Sequence, residues 1–470
     1  MHPEVGTVRR CPTPPARIPV FRFEIPVFPN FDLPLVFSNP VGSIHPMAFR
    51  FFHTADWHLG QTFHEYDRDH EHGRFLEWFL DCLIQKQPDA LLLAGDVFDT
   101  INPSAVAQRR FYAFLGQVRM TLPGLQIVIT AGNHDAGSRL EAPSALLDSL
   151  NIHLVGTIQK TVDGEILLDR MILPLRDASG TVKALALAVP YLRPSDVPMV
   201  TDASDPYLEG VRALYHALTQ RARLLRDEKY PEAALIALGH CHMAGANESR
   251  DSERRLIIGG NEALRPDSFP PDLAYVALGH LHKPQAIDGG RIRYCGSPIP
   301  LSFSELDYPH QVLLCTLHPS EGLVVEPLPI PKTAHLIRIP KAGAAKMDEV
   351  LRRIGEIAAD PSVPLGEQPF LEVNVVNDGP DPSRRHRIEQ ELIGKGVRLA
   401  VIRQHQPAEE TPPIHSATGT PQVLADLSTL DPESLLQDAF REKYRTDLPQ
   451  ELLVALRELL ATEAVDSTAS

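Results

Sequence analysis

Five short polar clusters, each lying directly behind an apolar run, constrain the fold of this chain more than any other feature. The clusters are Asp56-Trp57-His58, Gly95-Asp96, Gly132-Asn133-His134-Asp135, Gly239-His240 and Gly279-His280-Leu281-His282. The preceding runs (49–54, 90–94, 126–131, 233–238 and 274–278) are short and apolar, as buried strands are. Because ligand sites in α/β proteins form where strands end and loops begin, we expect the clusters to converge in space.

The composition is typical of a globular protein with more than one core. The chain has 470 residues, of which 43% are hydrophobic and 22% charged, and typical domain sizes predict two or three units. No apolar stretch approaches the roughly 20 residues of a membrane helix, so no membrane association is expected. The formal net charge of -15 argues against nonspecific coating of nucleic acid, but it is compatible with a local basic groove and with bound metal ions.

The cysteines and the N-terminal segment bear on the compartment. Five scattered cysteines without a C-x-x-C spacing predict neither a disulfide framework nor a zinc knuckle, and they favour the reducing cytoplasm. Residues 1–46 are rich in proline and lack helical or strand periodicity, and their prolines interrupt any signal-peptide core. Two interpretations stay open: Met47 is the functional start, or residues 1–46 form a flexible arm.

The largest predicted unit spans residues 47–330. In its first half strands alternate with helices over 69–85 and 105–118, as they do in parallel βαβ units. Asn102 is placed to cap the second helix, and Pro103 lies in its first turn. After about residue 167 strands dominate around a helix at 208–225, so we expect a more antiparallel sheet in this half.

The rest of the chain is predicted to form a small α+β capping domain and a docking segment. The cap spans 331–403, with strands at 336–339, 370–376 and 397–402 and helices at 347–358 and 383–393. Residues 404–425 are interpreted as a linker because prolines lie among polar residues, and 426–465 are expected to be helical. The last helix has an apolar stripe of Leu452, Leu453, Leu456, Leu459 and Leu460. This stripe packs either on the chain's own surface or on a partner's helix or coiled coil.

The residue types in the clusters are those of a two-metal phosphoesterase. Such a site needs a shared carboxylate, flanking oxygen and imidazole ligands, and a water between ions about 3.5 to 4 Å apart. The predicted ligands are Asp56, His58 and His282 for one ion, Asn133, His240 and His280 for the other, and Asp96 as the bridge. Carboxylate, amide and imidazole ligands without thiolate suit two Mn²⁺ or similar ions better than a structural zinc, which argues against Cys241 as a ligand.

His134 follows a ligand but need not bind metal itself. We predict that it meets the phosphate, where it stabilises the charge of the transition state or protonates the leaving oxygen. Asp135 orients either His134 or its own loop. Asp99, three residues after Asp96, is either a partner of a ligand or a loop cap.

The order of these motifs resembles that of the calcineurin-like metallophosphoesterases. Within that superfamily the resemblance to the SbcD family of nuclease subunits rests on Thr54-Ala55-Asp56-Trp57-His58-Leu59-Gly60, Ala94-Gly95-Asp96-Val97-Phe98-Asp99-Thr100, Gly132-Asn133-His134-Asp135, Ala277-Leu278-Gly279-His280-Leu281-His282 and Tyr294-Cys295-Gly296-Ser297-Pro298-Ile299-Pro300-Leu301-Ser302-Phe303. The resemblance implies a β-sandwich flanked by helices (αββα) and a homodimer within a heterotetramer with an SMC-like ATPase, SbcC. It also implies Mn²⁺-dependent double-strand 3'-5' exonuclease and single-strand or hairpin endonuclease activity on DNA, in repair and recombination.

Two positions depart from or complicate the family pattern. Archaeal and eukaryotic relatives carry a histidine where this chain has Asp99, so a role of that histidine in fixing the phosphate is not transferred. His242 makes Gly239-His240-Cys241-His242 imitate the later Gly-His-x-His motif. The family pattern assigns the ligand to His240, and we interpret His242 as a loop residue.

Several other polar residues have two candidate roles. Arg139 and Ser297 either contact DNA or hold a loop in place. The basic run Arg384-Arg385-His386-Arg387 is either a solvated face or a contact to the DNA backbone. The histidines at positions 64, 70 and 72 lack a consistent ligand spacing and are expected in a surface loop and helix start.

Two further function classes compete with a DNA nuclease subunit. A protein phosphatase or small-molecule phosphodiesterase would use the same metals, but the cap, the linker and the leucine-striped helix favour the nuclease. A non-catalytic binding subunit that retains the fold is disfavoured because none of the seven predicted ligand positions is replaced.

Overall fold

The computed structural model describes residues 48–201, 203–247, 263–318, 322–379 and 381–406, together with residues 437, 440, 449, 450, 452 and 453. The predicted N-terminal segment, most of the linker and most of the leucine-striped C-terminal helices lie outside the described residues. Among the described residues, no helix has the length and apolarity that a membrane crossing requires.

The helices and strands form three consecutive parts of the chain. The first part contains β1 (Phe49–Thr54), β2 (Thr62–Phe63), β3 (Tyr66–Asp67), α1 (Asp69–Lys86), β4 (Ala90–Ala94), α2 (Ala105–Thr121), β5 (Gln126–Thr130), α3 (Gly137–Glu141), α4 (Ser144–Asp148) and β6 (Ile152–Val155). The second part contains β7 (Ile172–Arg176), β8 (Val182–Ala188), α5 (Pro206–Lys229), β9 (Ala234–His240), β10 (Leu273–Gly279), β11 (Gln285–Ile287), β12 (Ile292–Tyr294), β13 (Gln311–His318) and β14 (Gly322–Pro329). The third part contains β15 (Leu336–Ile339), α6 (Met347–Gly355), β16 (Phe370–Val376), α7 (Arg384–Leu392) and β17 (Arg398–His405).

The first large sheet has the order β14-β13-β1-β4-β5-β6. Its strands β1, β4, β5 and β6 are parallel, β13 pairs antiparallel with β1, and β14 pairs antiparallel with β13. The predicted parallel βαβ units are therefore present. In these units the ends of β1, β4 and β5 lie at one edge of the sheet, where three of the polar clusters begin.

The second large sheet, ordered β11-β12-β10-β9-β8-β7, differs from the expectation. Its four central strands are parallel, and β7 and β11 at the edges pair antiparallel. The expectation of a more antiparallel sheet in this half is therefore wrong for the central strands, but it holds for these edge strands and for β13 and β14. The physical reason is burial on both faces: β8, β9 and β10 are almost wholly inaccessible between the first sheet and α5. Strands covered on both sides are continuous apolar runs, and such strands form parallel sheets.

The two sheets pack face to face with helices outside each of them. One core cluster joins α1 and α2 to the outer face of the first sheet. A larger cluster fills the space between the sheets and beneath α5. This layering is the predicted αββα sandwich, because each sheet buries one face against its partner and the other against helices.

The helix α2 begins one residue after its capping side chain, which is not the predicted one. Ser104 is the N-cap, and its hydroxyl accepts a hydrogen bond from the backbone N–H of Ala107 at 3.2 Å. Asn102 and Pro103 lie before the helix, and the amide oxygen of Asn102 accepts from Arg139 instead. Ser104 is selected because it has the extended backbone that an N-cap requires.

The third part corresponds to the predicted cap and folds into a three-stranded parallel sheet, β15-β16-β17, which α6 and α7 cover. The strand β17 continues to His405, so Gln404, which the sequence assigns to the linker, lies in a strand. A small apolar cluster joins the cap to the β2–β3 hairpin, with Phe63 and Phe303 packing against Phe370.

Candidate metal centre

The ends of β1 and β4 are joined beyond the sheet by backbone hydrogen bonds. The N–H of Asp56 donates to the carbonyl of Gly95 at 3.1 Å, and the N–H of His58 donates to the carbonyl of Asp96 at 3.0 Å. The sheet ladder therefore continues into the loops, and it fixes the first two polar clusters against each other.

Trp57 anchors the first cluster from the opposite side of the chain. Its ring is fully buried, packs edge-on against four phenylalanines of α1 and α2, and donates its N–H to the hydroxyl of Thr54 at 2.9 Å. Because Trp57 faces the helix layer, its neighbours Asp56 and His58 face the centre between the sheets.

Several of the predicted ligands have an unusual backbone. Asp56, His58 and Asp96 have φ values of 54°, 45° and 48°, in the left-handed region. That conformation costs about 1 to 2 kcal/mol for a residue with a side chain. Strain of this kind persists where function requires the geometry, and here it aims three side chains at one point.

Glycines allow the two sheets to approach each other at this point. Gly95 has a φ of 87°, and a Cβ atom there would collide with the ring of His240. A Cβ atom at Gly279 would collide with the carbonyl of Ala94 across the sandwich. The glycines that precede Asp96 and His280 therefore make room for the side chains that meet between the sheets.

The carboxylate of Asp96 lies in the middle of the predicted ligands. Its Oδ2 atom is 3.4 Å from Nε2 of His58 and 3.3 Å from Nε2 of His240. Its Oδ1 atom accepts the backbone N–H of His134 at 2.8 Å. One oxygen is thus held by the protein, and the other lies between ligands that the sequence assigns to different ions.

The amide of Asn133 marks the second half of the centre. Its Oδ1 atom lies 2.9 Å from Nε2 of His240 and 3.1 Å from Nδ1 of His280. On the other side, Asp56, His58 and His282 form a buried group whose donor atoms lie within 4.8 Å of one another. The structure therefore brings the seven predicted ligands together. Its other clustered donor groups join Asp56 with Asp96 and His240, and His58 with Asp99 and His134.

The histidine rings are oriented by hydrogen bonds at their far nitrogen. In His58, Nδ1 lies 3.1 Å from the carboxylate of Asp99. In His240 it lies 3.0 Å from the carbonyl of Ala94, and in His282 it lies 2.9 Å from the carboxylate of Glu305. At His58 and His282 this keeps a proton on Nδ1 and leaves Nε2 as the nitrogen available to a cation. At His240, Nε2 faces the amide oxygen of Asn133, so it would have to give up its proton before it could bind a cation. His280 is the exception, since its Nδ1 is the atom next to Asn133.

The donor set fits divalent metal ions. Within the described part of the chain, Asp56 Oδ2 and His58 Nε2 are buried atoms without a hydrogen-bond partner, although buried polar atoms are normally paired. A cation between the carboxylates and the imidazoles would satisfy both atoms. The ligands are oxygen and imidazole nitrogen without thiolate, and Cys241, which is not among the clustered donors of the described residues, uses its carbonyl to accept from Tyr294 at 2.7 Å.

The pKa values in the centre reflect burial and close charges. Burial raises the pKa of Asp56. Burial also acts to raise the pKa of Asp96, but the adjacent His240, His58 and His134 hold it well below its usual range. The carboxylates of Asp96 and Asp56 outweigh burial at His240 and raise its pKa to about 9, whereas burial and the charge of His240 keep the pKa of His280 well below its usual range.

His134 lies beside the predicted metal ligands and is not one of them. It is largely buried, its Nδ1 donates to the carbonyl of Asp99 at 2.7 Å, and its ring centre is 4.7 Å from that of His58. Asp99 thus contacts both histidines, His58 through its carboxylate and His134 through its backbone. Of the two roles left open for Asp99, the contact with a predicted ligand is the one observed.

Asp135 orients its loop. Its buried carboxylate accepts the backbone N–H groups of Gly132, Val97 and Phe98 at 2.9, 3.1 and 3.0 Å. It therefore ties the loop after β5 to the loop after β4. Burial and the nearby Asp96 raise the pKa of Asp135 to about 6.

Other candidate residues have structural contacts. Arg139 donates to the carbonyl of Ile101 at 3.2 Å and to Asn102, so it holds the loop before α2. Ser297 is fully buried and donates to Glu305 at 3.2 Å, so of its two candidate roles, holding the loop is the one observed. The enclosed loop of residues 296–305 turns its side chain inward.

The basic run of the cap is largely paired. Arg384 is buried and donates to the carbonyl of Gly379 at 3.1 Å. Arg385 pairs with Glu389 at 2.7 Å, and Arg387 pairs with Asp348 at 3.2 Å. These arginines are thus paired with carboxylates of the cap itself, including the buried Arg384, which lies 3.9 Å from Asp378.

Of the remaining histidines, His72 differs from expectation and His242 agrees with it. His72 is buried rather than at the surface, and burial together with Arg68 lowers its pKa to about 3. His242 is half-buried, its carbonyl accepts from the N–H of Leu264 at 2.8 Å, and it belongs to no clustered donor group within the part of the chain that the structure describes. Sequence reasoning also missed Glu305, which only the folded loop brings to His282.

Comparisons with known proteins agree with this geometry. The calcineurin-like phosphoesterase family matches residues 49–284, and the family described as the type 5 capsule protein repressor C-terminal domain matches residues 333–444. A protein from Rhodobacter capsulatus, named as the D subunit of the nuclease SbcCD, is 42% identical over 398 residues, which are 83% of this chain and 94% of the relative.

Two further relatives carry the same name. The protein from Escherichia coli K12 is 34% identical over 77% of this chain and 86% of its own length. The protein from Bacillus subtilis is 36% identical over 58% of this chain and 67% of its own length. The chain belongs to the calcineurin-like phosphoesterases, and within them to the family of SbcCD nuclease D subunits.

Proposed function

We propose that this chain is the catalytic subunit of a metal-dependent DNA nuclease, which hydrolyses phosphodiester bonds as a double-strand 3'-5' exonuclease and a single-strand or hairpin endonuclease. The observation that carries the proposal is the convergence of six predicted ligand side chains around a seventh, the buried carboxylate of Asp96, with His134 beside them. The name of the relatives supports DNA as the substrate.

The proposed ligands divide the centre into two halves. Asp56, His58 and His282 would hold one ion, Asn133, His240 and His280 the other, and Asp96 both. When bound, two such ions activate a water molecule and neutralise charge on the phosphate. The proposed metal is Mn²⁺, because mixed carboxylate, amide and imidazole ligands suit an ion of intermediate softness.

His134 is the proposed catalytic residue that does not bind metal. Its Nδ1 proton is committed to the carbonyl of Asp99, so its Nε2 carries a proton only in the imidazolium form. The imidazolium stabilises charge on the phosphoryl oxygens and gives its Nε2 proton to the leaving oxygen. The carbonyl of Asp99 therefore fixes the direction in which His134 acts.

The proposed partners are DNA and an SMC-like ATPase, SbcC, in a heterotetramer that contains two copies of this chain. The SbcCD name of the relatives supports such an ATPase partner. We propose residues 47–330 as the nuclease domain, 331–403 as a capping domain, 404–425 as a linker and 426–465 as the helices that dock on the partner. We also propose that the protein works in the reducing cytoplasm, because it has free thiols at Cys82, Cys241, Cys295 and Cys315.

The test uses the purified chain with Mn²⁺, with and without the ATPase partner. The substrates are end-labelled hairpin DNA and bis-p-nitrophenyl phosphate, and the control is the same mixture with a chelator. We expect cleavage of both substrates, with ATP and the partner increasing cleavage of the hairpin. Rapid diester hydrolysis without DNA cleavage, even with the partner, would instead indicate a small-molecule phosphodiesterase.

A further inference from the structure

Glu305 is a buried carboxylate that the ligand set does not include. It lies in a short turn after the Gly296-Ser297-Pro298 segment and has no exposed surface. Its Oε1 lies 2.9 Å from Nδ1 of His282, and its Oε2 accepts from the hydroxyl of Ser297 at 3.2 Å and from the N–H of Leu301 at 2.9 Å. Both oxygens are therefore engaged, and both act as acceptors.

This arrangement determines which nitrogen of His282 can bind a cation. A carboxylate at Nδ1 keeps the proton there, leaves the lone pair on Nε2, and makes the imidazole a stronger donor. His282 is itself buried, and its ring centre is 5.2 Å from that of His58. Because Glu305 holds Nδ1, Nε2 is the ring nitrogen that serves the group formed with Asp56 and His58.

The two halves of the centre differ in this kind of support. In the half of Asp56, His58 and His282, both imidazoles have a carboxylate at Nδ1, from Asp99 and from Glu305. In the other half, His240 has the carbonyl of Ala94 at Nδ1, and the oxygen ligand Asn133 is a neutral amide. The carboxylates that accept a hydrogen bond from an imidazole Nδ1 therefore lie on one half.

We propose that Glu305 is a positioning residue that holds His282 as an Nε2 ligand and makes the half of Asp56, His58 and His282 the tighter of the two cation sites. This inference rests on the proposed two-metal function and adds an order of affinity to it. Asp96 is shared, so the difference arises from the ligands that each half does not share.

The variant that tests this inference is E305Q, which keeps the size of the side chain. A glutamine offers one oxygen to donors that Glu305 meets with two, so its NH₂ group must face either Leu301 N–H or His282 Nδ1. If it faces His282, the ring must accept at Nδ1 and move its proton to Nε2, which removes the lone pair needed for a cation.

Binding of Mn²⁺ to the full-length chain is measured by titration calorimetry, with free Mn²⁺ counted by electron paramagnetic resonance. The wild type is expected to bind two ions with unequal affinity, and E305Q to lose about 10- to 100-fold in affinity at the tighter site. S297A removes only one hydrogen bond from Glu305 and serves as a control. It should change both Mn²⁺ affinities by less than about threefold, which is below the loss expected for E305Q. Histidine ring ¹⁵N spectra should show one ring leaving the Nδ1–H form in E305Q.

A matched control separates this effect from general loss of stability. E372Q changes another buried glutamate, which lies in the cap away from the centre, and should leave Mn²⁺ affinity unchanged. The inference is overturned if E305Q binds both ions as the wild type does, or if S297A loses as much affinity as E305Q. If the wild type itself binds no Mn²⁺, the proposed function fails instead.

Discussion

The metal centre and the cap both bury carboxylates, but they balance the charge differently. In the cap, Glu372 is almost fully buried between Arg338 and Arg403, and the cations meet it from both sides. In the centre, Asp56 and Asp96 are equally buried, yet they face imidazoles, and Asp56 Oδ2 has no hydrogen-bond partner among the described residues. A buried carboxylate is structural when cations of the same chain balance its charge. A buried carboxylate without such a cation indicates that a cation binds there.

The largest effect should follow the loss of the shared carboxylate. D96N keeps the shape of Asp96 but removes its charge, so we expect loss of both metals and a fall in nuclease turnover of about 10³-fold or more, because the ions contribute several kcal/mol to the barrier. Metal content by plasma mass spectrometry and hairpin cleavage measure the two losses. D169N, at a surface carboxylate that pairs with Arg221, is the control and should change neither. Retention of two ions by D96N would contradict the difference drawn between the carboxylates of the centre and those of the cap.

In the cap the same kind of change should affect stability alone. E372Q leaves Arg338 and Arg403 without their carboxylate, and because both arginines are partly exposed we expect a loss of about 2 kcal/mol in the free energy of unfolding. Urea denaturation measures it. E326Q, which breaks the exposed pair with Lys86, should cost less than about 0.5 kcal/mol. A fall in metal affinity with E372Q would contradict a purely structural role.

A buried histidine between the sheets, His53, should make the stability of the fold depend on pH. His53 is buried with Tyr275 and the carbonyl of Leu278 as partners, and burial lowers its pKa from 6.5 to about 3. The unfolded chain binds a proton that the folded chain does not, so stability is full above pH 6.5 and falls as the pH drops toward 3.

In H53Q this dependence should be weaker. Between about pH 6 and pH 4, we expect the slope of unfolding free energy against pH to decrease by about 1.4 kcal/mol per pH unit, the value for one proton. Chemical denaturation at a series of pH values measures the slope. Y275F, which removes the hydroxyl partner without removing the imidazole, should lower stability but keep the slope. An equal slope in H53Q and the wild type would show that His53 does not titrate as described.

The smallest effect is expected at the exposed arginines of the cap. Arg385 and Arg387 pair with Glu389 and Asp348, so R385A and R387A should change DNA affinity less than about twofold. Each should also leave unchanged the slope of log affinity against log salt. A slope smaller by about one for each arginine would show contact with phosphate and would make the cap part of the DNA surface.

The sequence allowed the prediction of most of the centre and of the αββα layers. The clusters behind β1, β4, β5, β9 and β10 predicted the convergence, because strand ends of parallel units meet at one edge. The direction of the second sheet was not predictable from its strands, since a buried parallel strand and a buried antiparallel strand are both short apolar runs.

Side chains that act through the folded loops were the hardest to predict. Glu305 follows the Gly-Ser-Pro segment as an ordinary turn residue, and only the turn of the loop brings it to His282. Ser297 and Arg384 carry polar groups that sequence favours at the surface, but the fold encloses both. Local patterns specify which residue types are present, whereas burial of a particular polar side chain depends on distant parts of the chain.

We propose that seven side chains hold two ions while His134 acts without binding either. The most direct measurement is the metal content and turnover of H134A in Mn²⁺, beside the wild type. The claim predicts two ions per chain in both proteins and a fall in turnover of about 10²- to 10⁴-fold in H134A, as for loss of a general acid. Loss of an ion from H134A would make His134 a ligand and would contradict the claim.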